Sequence, residues 1–154
     1  MLKLRAAAAG DMELYYEWAN DPSTRQNAFN QERIEYAEHA SWFSNKLASD
    51  SALLLVAEDE HGVPVGQIRF DIADDTAEIS FSIAGFYRGR GLGAEILRLG
   101  CQALRQRLGC KVRICGYVKT GNTPSNKAFI RAGFEKVGEQ VERKGALCNM
   151  YQLG

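Results

Sequence analysis

Apolar residues recur at helical spacing in the first third of the chain and again after residue 91, with strand-like spacing between these regions. Asp11 is a suitable N-cap for a helix that continues to Trp18. Pro22 lacks a backbone donor and ends this helix, and a polar loop then continues to Gln31. A second helix is predicted over about residues 35–46.

Strands are predicted wherever an apolar run of strand length lies between turn residues. The predicted strands are Leu2–Arg5, Ala52–Glu58, Val63–Asp71, Ala77–Ile83, Val112–Val118, Phe134–Gly138 and Ala146–Leu153. Within Ala77–Ile83 apolar and polar residues alternate, so that Ile79 and Phe81 share one face and Glu78 and Ser80 share the other.

Two further helices complete the pattern. The longer begins at Leu92 and ends at Gly109, and the shorter begins at Thr123-Pro124 and ends at Gly133. Strands followed by a βαβαββ order predict an α/β (α+β) fold, with a mixed sheet of about six or seven strands and about four flanking helices. We expect residues 1–154 to form this single domain.

Composition restricts the possible partners. Nineteen Lys and Arg residues balance 19 Asp and Glu residues, which argues against nucleic acid or an anionic membrane as a partner. No signal-peptide pattern and no apolar run of membrane-spanning length are present, so we expect a soluble, cytoplasmic protein. No metal is expected, because none of the cysteines has metal-ligand spacing: Cys101, Cys110, Cys115 and Cys148.

The segment Arg88-Gly-Arg-Gly-Leu-Gly93 lies between a predicted strand and the long helix. Its glycines leave backbone N–H groups unshielded, the helix contributes its positive end, and Arg88 and Arg90 add charge. These features predict a pyrophosphate site. A dinucleotide-binding fold would need an acidic residue in Val112–Val118, and a P-loop would need Gly-Lys-Ser/Thr; neither is present.

The same segment resembles the acyl-CoA loop of the GNAT acetyltransferase superfamily, Arg/Gln-x-x-Gly-x-Gly/Ala, with Arg88, Gly91 and Gly93 at the motif positions. Asn122-Thr-Pro-Ser125, followed by Gly133-Phe134, resembles a second GNAT segment. The resemblance implies that acetyl-CoA binds where the sheet splits beside the strand that precedes the loop. The residues implied to bind it are Ile83, Ala84, Arg88, Gly89, Arg90, Gly91, Leu92, Gly93, Ala94, Asn122 and Ser125.

Amine acetylation by a thioester needs a base for the amine and a proton for the departing thiolate. Glu78 resembles the base of some family members, and the alternative is a structural carboxylate. Many members carry a Tyr as the acid where this chain has Phe129. Tyr117 or Ser125 is then a candidate acid, unless the thiolate leaves unprotonated. Cys115 as a nucleophile is disfavoured, because no His lies near it in the sequence.

Acceptor choice is expected from the first two helices and their loop. Arg25 and Arg69 are candidates for binding a phosphate or carboxylate of the acceptor. Trp42 and His39 are further candidates for acceptor contacts, and the alternative for the aromatic residues is ordinary core packing. The pattern from Trp18 to Phe43, together with Gly66–Asp71, resembles acetyltransferases of pseudaminic acid synthesis, which act on nucleotide-linked amino sugars. That resemblance implies a UDP-linked 4-amino-6-deoxy sugar as the acceptor.

Two other functions stay open at this point. One is a ribosomal-protein-type N-terminal acetyltransferase, which needs a groove for a peptide. The other is a catalytically silent CoA-binding module, which the Phe at position 129 would suit. Pairing of Ala146–Leu153 across a homodimer is a further expectation.

Overall fold

Seven strands form one mixed sheet in the computed structural model, which describes residues 1–154. The strands are β1 (Lys3–Ala6), β2 (Ala52–Glu58), β3 (Pro64–Ala73), β4 (Thr76–Ile83), β5 (Arg113–Lys119), β6 (Glu135–Arg143) and β7 (Ala146–Leu153). The helices are α1 (Met12–Ala19), α2 (Pro22–Asn27), α3 (Tyr36–Ala48), α4 (Leu92–Leu108) and α5 (Thr123–Arg131). The predicted fold class is confirmed.

The order of strands in the sheet is β1-β2-β3-β4-β5-β7-β6. All neighbours are antiparallel except β4 and β5, which are parallel because α4 crosses over between them. β7 pairs with β5 on one side and β6 on the other. The expectation that Ala146–Leu153 pairs across a dimer is therefore wrong, since both edges of this strand are already paired.

The predicted polar loop after Pro22 contains a helix, α2, which brings the helices to five rather than about four. Pro22 occupies the first turn, where its missing N–H costs nothing, and Asp21 accepts hydrogen bonds from the amides of Ser23 (3.0 Å) and Thr24 (3.2 Å). The prediction took Pro22 only as the end of α1. The residue does both, because a proline that cannot continue one helix can begin the next.

β6 also differs from its prediction, since it continues to Arg143 instead of ending at Gly138. Its pairing with β7 shifts register between Lys136 and Gly138 and again between Gly138 and Val141. Gln140 has a φ of 52° between these points. Such bulges interrupt the alternation of apolar and polar residues from which a strand is recognised.

β4 and β5 separate soon after they meet. Their pairing covers only Thr76–Glu78 on β4 and Arg113–Cys115 on β5. Beyond it, β4 continues to Ile83 with β3 as its only neighbour. A gap therefore opens in the middle of the sheet, directly before α4.

The two faces of the sheet are covered unequally. A core of 19 buried residues, including Ile68, Leu97 and Phe129, lies on the face covered by α4 and α5. Phe129 packs so closely on β5 that a Cβ at Gly116 would lie 2.6 Å from its ring. Only 6 buried residues, among them Phe43, form the core against α1 and α3. The remainder of that face carries Arg69, Glu78 and Tyr117. No helix has the length and apolarity that a membrane crossing requires.

Candidate active site

The loop before α4 has backbone geometry that suits an anion. Gly91 is the N-cap of α4 with a φ of 74°, and Gly89 has a φ of 79°. No side chain caps this helix terminus, and the first N–H groups of a helix have no partner within it. A Cβ at Gly89 or Gly91 would contact nothing within 4 Å, so no neighbouring group crowds the side-chain side of these two residues. The predicted pyrophosphate site therefore has free donors at the positive end of a long helix.

The two arginines of the loop hold its shape. The Arg88 Nη2 donates to Asp21 Oδ1 at 2.8 Å, which ties the loop to the first turn of α2. Burial raises the pKa of Asp21, but the Arg88 hydrogen bond and the capped amides outweigh this, and the pKa lies below its usual value. The Arg90 guanidinium lies over the rings of Phe86 and Tyr87, 5.2 Å from each centroid. Direct phosphate contacts by Arg88 and Arg90 stay predictions.

The gap between β4 and β5 exposes backbone groups of β4. The amide of Ala84 donates to the Val65 carbonyl on the β3 side at 2.8 Å, and the carbonyl of Ala84 accepts from Tyr87. Backbone groups alternate in direction along a strand, so those of Ile83 and Phe81 point into the gap. Ile83 and Phe81 are thus open to an added strand-like ligand, whereas both polar backbone groups of Ala84 are engaged. Phe81 was not among the predicted residues.

On the other side of the gap, α5 begins at Asn122, whose Oδ1 accepts from the amide of Ser125 at 3.4 Å. Asn126 Oδ1 accepts from Asn149 Nδ2 at 2.9 Å and from the Tyr151 hydroxyl at 2.6 Å. These bonds fix the start of α5 against β7. Asn122 and Ser125 cap the start of α5, and the contacts with the cofactor that the resemblance implies for them stay predictions.

Glu78 and Tyr117 lie close together on the face of the sheet opposite α4. The connection is Arg143, whose Nη2 donates to Glu78 Oε1 at 2.6 Å and whose guanidinium carbon lies 3.8 Å from the centroid of the Tyr117 ring. The Glu78 side chain is 40% exposed. Sequence reasoning did not single out Arg143, because it follows Glu78 by 65 residues and belongs to no motif.

The position of the missing tyrosine lies on the opposite face. Phe129 stacks on Tyr151 with ring centroids 5.1 Å apart and meets Phe134 edge to face, all within the core. Cys115, beside Glu78 in the sheet, is also buried, and burial raises the pKa of its thiol, with the Glu78 charge adding to the effect. Both effects disfavour the reactive thiolate form of Cys115.

Arg69 lies on β3 opposite Ser80, on the same face as Glu78. Its guanidinium carbon is 5.1 Å from the centroid of the Trp42 ring, and its Nε is buried without a hydrogen-bond partner. Burial lowers the pKa of Arg69. Two residues earlier, Gln67 Oε1 is also buried and unpartnered. This face therefore carries a guanidinium nitrogen and an amide oxygen that no group of the chain satisfies.

Arg25 and His39 have partners within the chain. The Arg25 Nε donates to the Ala19 carbonyl at 2.6 Å, and its Nη1 donates to the carbonyls of Asn30 and Glu32. His39 is 2% exposed, its Nε2 lies 3.2 Å from the Met12 carbonyl oxygen, and burial lowers its pKa. Acceptor contacts by either side chain stay predictions.

The chain is similar to known proteins over most of its length. A family model described as an acetyltransferase (GNAT) domain matches residues 1–135. YwnH of Bacillus subtilis, provisionally named a phosphinothricin acetyltransferase, is 30% identical over an alignment of 145 positions, and the match covers 89% of this chain and 86% of YwnH. The mycothiol acetyltransferase of Corynebacterium glutamicum is 29% identical over 116 residues, 75% of this chain; the match spans only 37% of that relative.

Solved structures share the fold. Spermidine N-acetyltransferase from Vibrio cholerae, in complex with CoA and spermine, superposes with a TM-score of 0.84 at 18% identity, over 98% of this chain and 92% of that one. AAC(6')-Ib in complex with ribostamycin and coenzyme A gives 0.81 at 21% identity, over 97% and 92%. With the family model matching most of its length, the chain belongs to the GNAT acetyltransferase family.

Proposed function

We propose that this protein transfers an acetyl group from acetyl-CoA directly to a primary amine. The observation that carries the proposal is the gap between β4 and β5 where it meets the uncapped, glycine-rich start of α4. The open backbone groups of Phe81 and Ile83 suit an extended amide-containing arm, and the free amides at residues 89–93 suit a pyrophosphate. Both sites converge on the end of β4, as a CoA thioester requires.

Acetyl-CoA supplies the acetyl group as a thioester, and the residues of this chain supply proton transfer and charge stabilisation. Glu78, half-exposed at the edge of the gap, accepts the proton of the attacking amine directly or through water. A backbone N–H of β4 that points into the gap donates to the oxyanion that forms when nitrogen adds to the carbonyl. The carbon–sulfur bond then breaks, and Tyr117 or water returns a proton to the sulfur.

For the acceptor, we propose a nucleotide-linked amino sugar, in particular a UDP-linked 4-amino-6-deoxy sugar. The unpartnered Arg69 guanidinium supports an acceptor with anionic oxygens, and the Trp42 ring beneath it supports a flat group nearby. Relatives named for spermidine, an aminoglycoside, mycothiol and phosphinothricin point to small amines as a class. The expected cytoplasmic location, and a homodimer through some other surface, stay predictions.

The test is release of free CoA thiol from acetyl-CoA with matched amines. The panel contains a UDP-linked 4-amino sugar, the same amino sugar without its nucleotide, spermidine, and short peptides with free N-termini. The proposal is supported if the UDP-linked sugar is acetylated and the same sugar without its nucleotide is acetylated more slowly. Turnover on peptides alone would identify an N-terminal acetyltransferase. CoA binding without turnover on any amine would leave a silent module.

A further inference from the structure

The turn between β6 and β7 brings a residue to the site from the far edge of the sheet. Arg143 is the last residue of β6 and pairs with Ala146 of β7 across the two-residue turn Lys144-Gly145. Both turn residues have positive φ, 51° and 82°, which is the geometry of the tight hairpin turn that matches strand twist. The Lys144 ammonium lies 5.6 Å from the centroid of the Phe29 ring, in the segment after α2. The tip of the hairpin therefore lies over the face that carries Glu78.

Three observations at Arg143 distinguish it from an ordinary surface arginine. Its Nη2 donates to Glu78 Oε1 at 2.6 Å. Its guanidinium lies at 3.8 Å over the Tyr117 ring, the shortest cation–ring distance in the protein. Its Nε is buried and has no acceptor. The guanidinium therefore has one orientation, fixed by a carboxylate on β4 and an aromatic ring on β5.

The contact holds one oxygen of Glu78 and leaves the other available. Glu78 Oε1 is bonded to Arg143, and Oε2 has no partner in the chain. A half-exposed ion pair of this kind contributes little to stability, typically below about 1 kcal/mol. Fixing the side chain of a base, in contrast, matters for proton transfer, because the carboxylate must stay within hydrogen-bond reach of the amine or its water.

We infer that Arg143 is a positioning residue: it holds Glu78 by Oε1 so that Oε2 faces the acceptor amine. The inference rests on the proposed function, since it concerns the base of that reaction. It adds the β6–β7 hairpin to the elements that build the active site, although the hairpin contributes no motif residue.

The experiment is a double-mutant cycle in kcat with Arg143→Gln, Glu78→Gln and the double variant, assayed on the best amine of the panel. Arg143→Gln is expected to lower kcat about tenfold and to leave KM for acetyl-CoA within about twofold. Arg143→Lys should recover part of the loss, because an ammonium still holds Oε1. In the Glu78→Gln background, Arg143→Gln should have no further effect, because there is no base left to position.

Lys144→Gln is the matched control, since it removes one positive charge from the same turn without touching Glu78; its kcat should equal that of the wild type. Urea unfolding and CoA calorimetry of each variant exclude loss of the fold. The inference would be overturned if Arg143→Gln lowered kcat by the same factor in the wild type and in the Glu78→Gln variant. It would also be overturned if Arg143→Gln left kcat unchanged. An inactive wild type would refute the proposed function and the inference with it. An active wild type in which the two substitutions lower kcat independently would refute the inference alone.

Discussion

The cofactor loop and the acceptor face are built in opposite ways. The loop, residues 83–94, is contiguous in sequence and presents mainly backbone groups: strand amides at Ile83, and the helix start at Gly91. The acceptor face presents side chains from separate elements, with Arg69 from β3, Glu78 from β4 and Arg143 from β6. One site is a local conformation, and the other is a tertiary assembly.

The difference appears again in how the polar atoms are satisfied. At the loop, Arg88 and Arg90 have partners in the chain, and it is the amides of the helix start that stay open. On the acceptor face, buried side-chain atoms have no partner: Gln67 Oε1, Arg69 Nε and Arg143 Nε. Because burying a polar atom without a partner costs free energy, a ligand that satisfies these atoms is favoured. Specificity is therefore expected from the acceptor face and affinity for CoA from the loop.

Glu78→Gln should have the largest effect and should separate the two regions completely. Glutamine keeps the size of the side chain and an oxygen for Arg143 but cannot accept the proton. We expect kcat to fall by about 10²- to 10³-fold, while the Kd for CoA measured by calorimetry stays the same. Full activity of this variant would remove Glu78 as the base, and loss of CoA binding would show that the two regions are not separate.

Arg88→Ala combined with Arg90→Ala should weaken CoA binding by about tenfold, because two charges near the pyrophosphate are lost and the tether to Asp21 is broken. The loss should shrink at high salt, since these side chains are exposed. Arg107→Ala with Arg113→Ala, two exposed arginines at the other end of α4, is the matched control. Unchanged affinity in calorimetry would mean that the backbone amides alone hold the phosphates.

Arg69→Met keeps an unbranched apolar stem at this position but removes the cation. With an anionic acceptor, KM for the acceptor is expected to rise about tenfold while KM for acetyl-CoA stays constant. An uncharged amine, assayed in parallel, should show no change. A similar rise in KM for both acceptors would mean that Arg69 supports the wall of the site instead of binding an anion.

His39→Gln should have the smallest effect, on stability. Burial lowers the pKa of His39 in the folded protein, so the unfolded chain binds a proton first as the pH falls below about 6.5. This histidine therefore makes the wild type less stable at pH 5.5 than at pH 7.5, by up to about 1 kcal/mol. Urea unfolding at both pH values should show a smaller difference in the variant. A raised acceptor KM instead would indicate contact with the acceptor.

Most of the fold follows from local patterns. The boundaries of β2 and β7 agree with the predicted strands, and α4 and α5 begin and end where glycine and proline signals place them. The departures are α2, where Pro22 begins a helix after ending another, and β6, where bulges conceal the alternation. In both cases the local sequence is compatible with more than one secondary structure, and tertiary packing selected the one that is observed.

The sequence by itself determined the family and the cofactor loop, because a glycine-rich turn before a helix encodes its geometry within a few residues. The tertiary structure decided which side chains lie on the face proposed to bind the acceptor. It buried His39 between helices, engaged Arg25 with backbone carbonyls, and left Arg69 without a partner. It also brought Arg143 to Glu78 from the far edge of the sheet. Contacts between residues this distant depend on the twist and register of the strands between them, which no local pattern specifies.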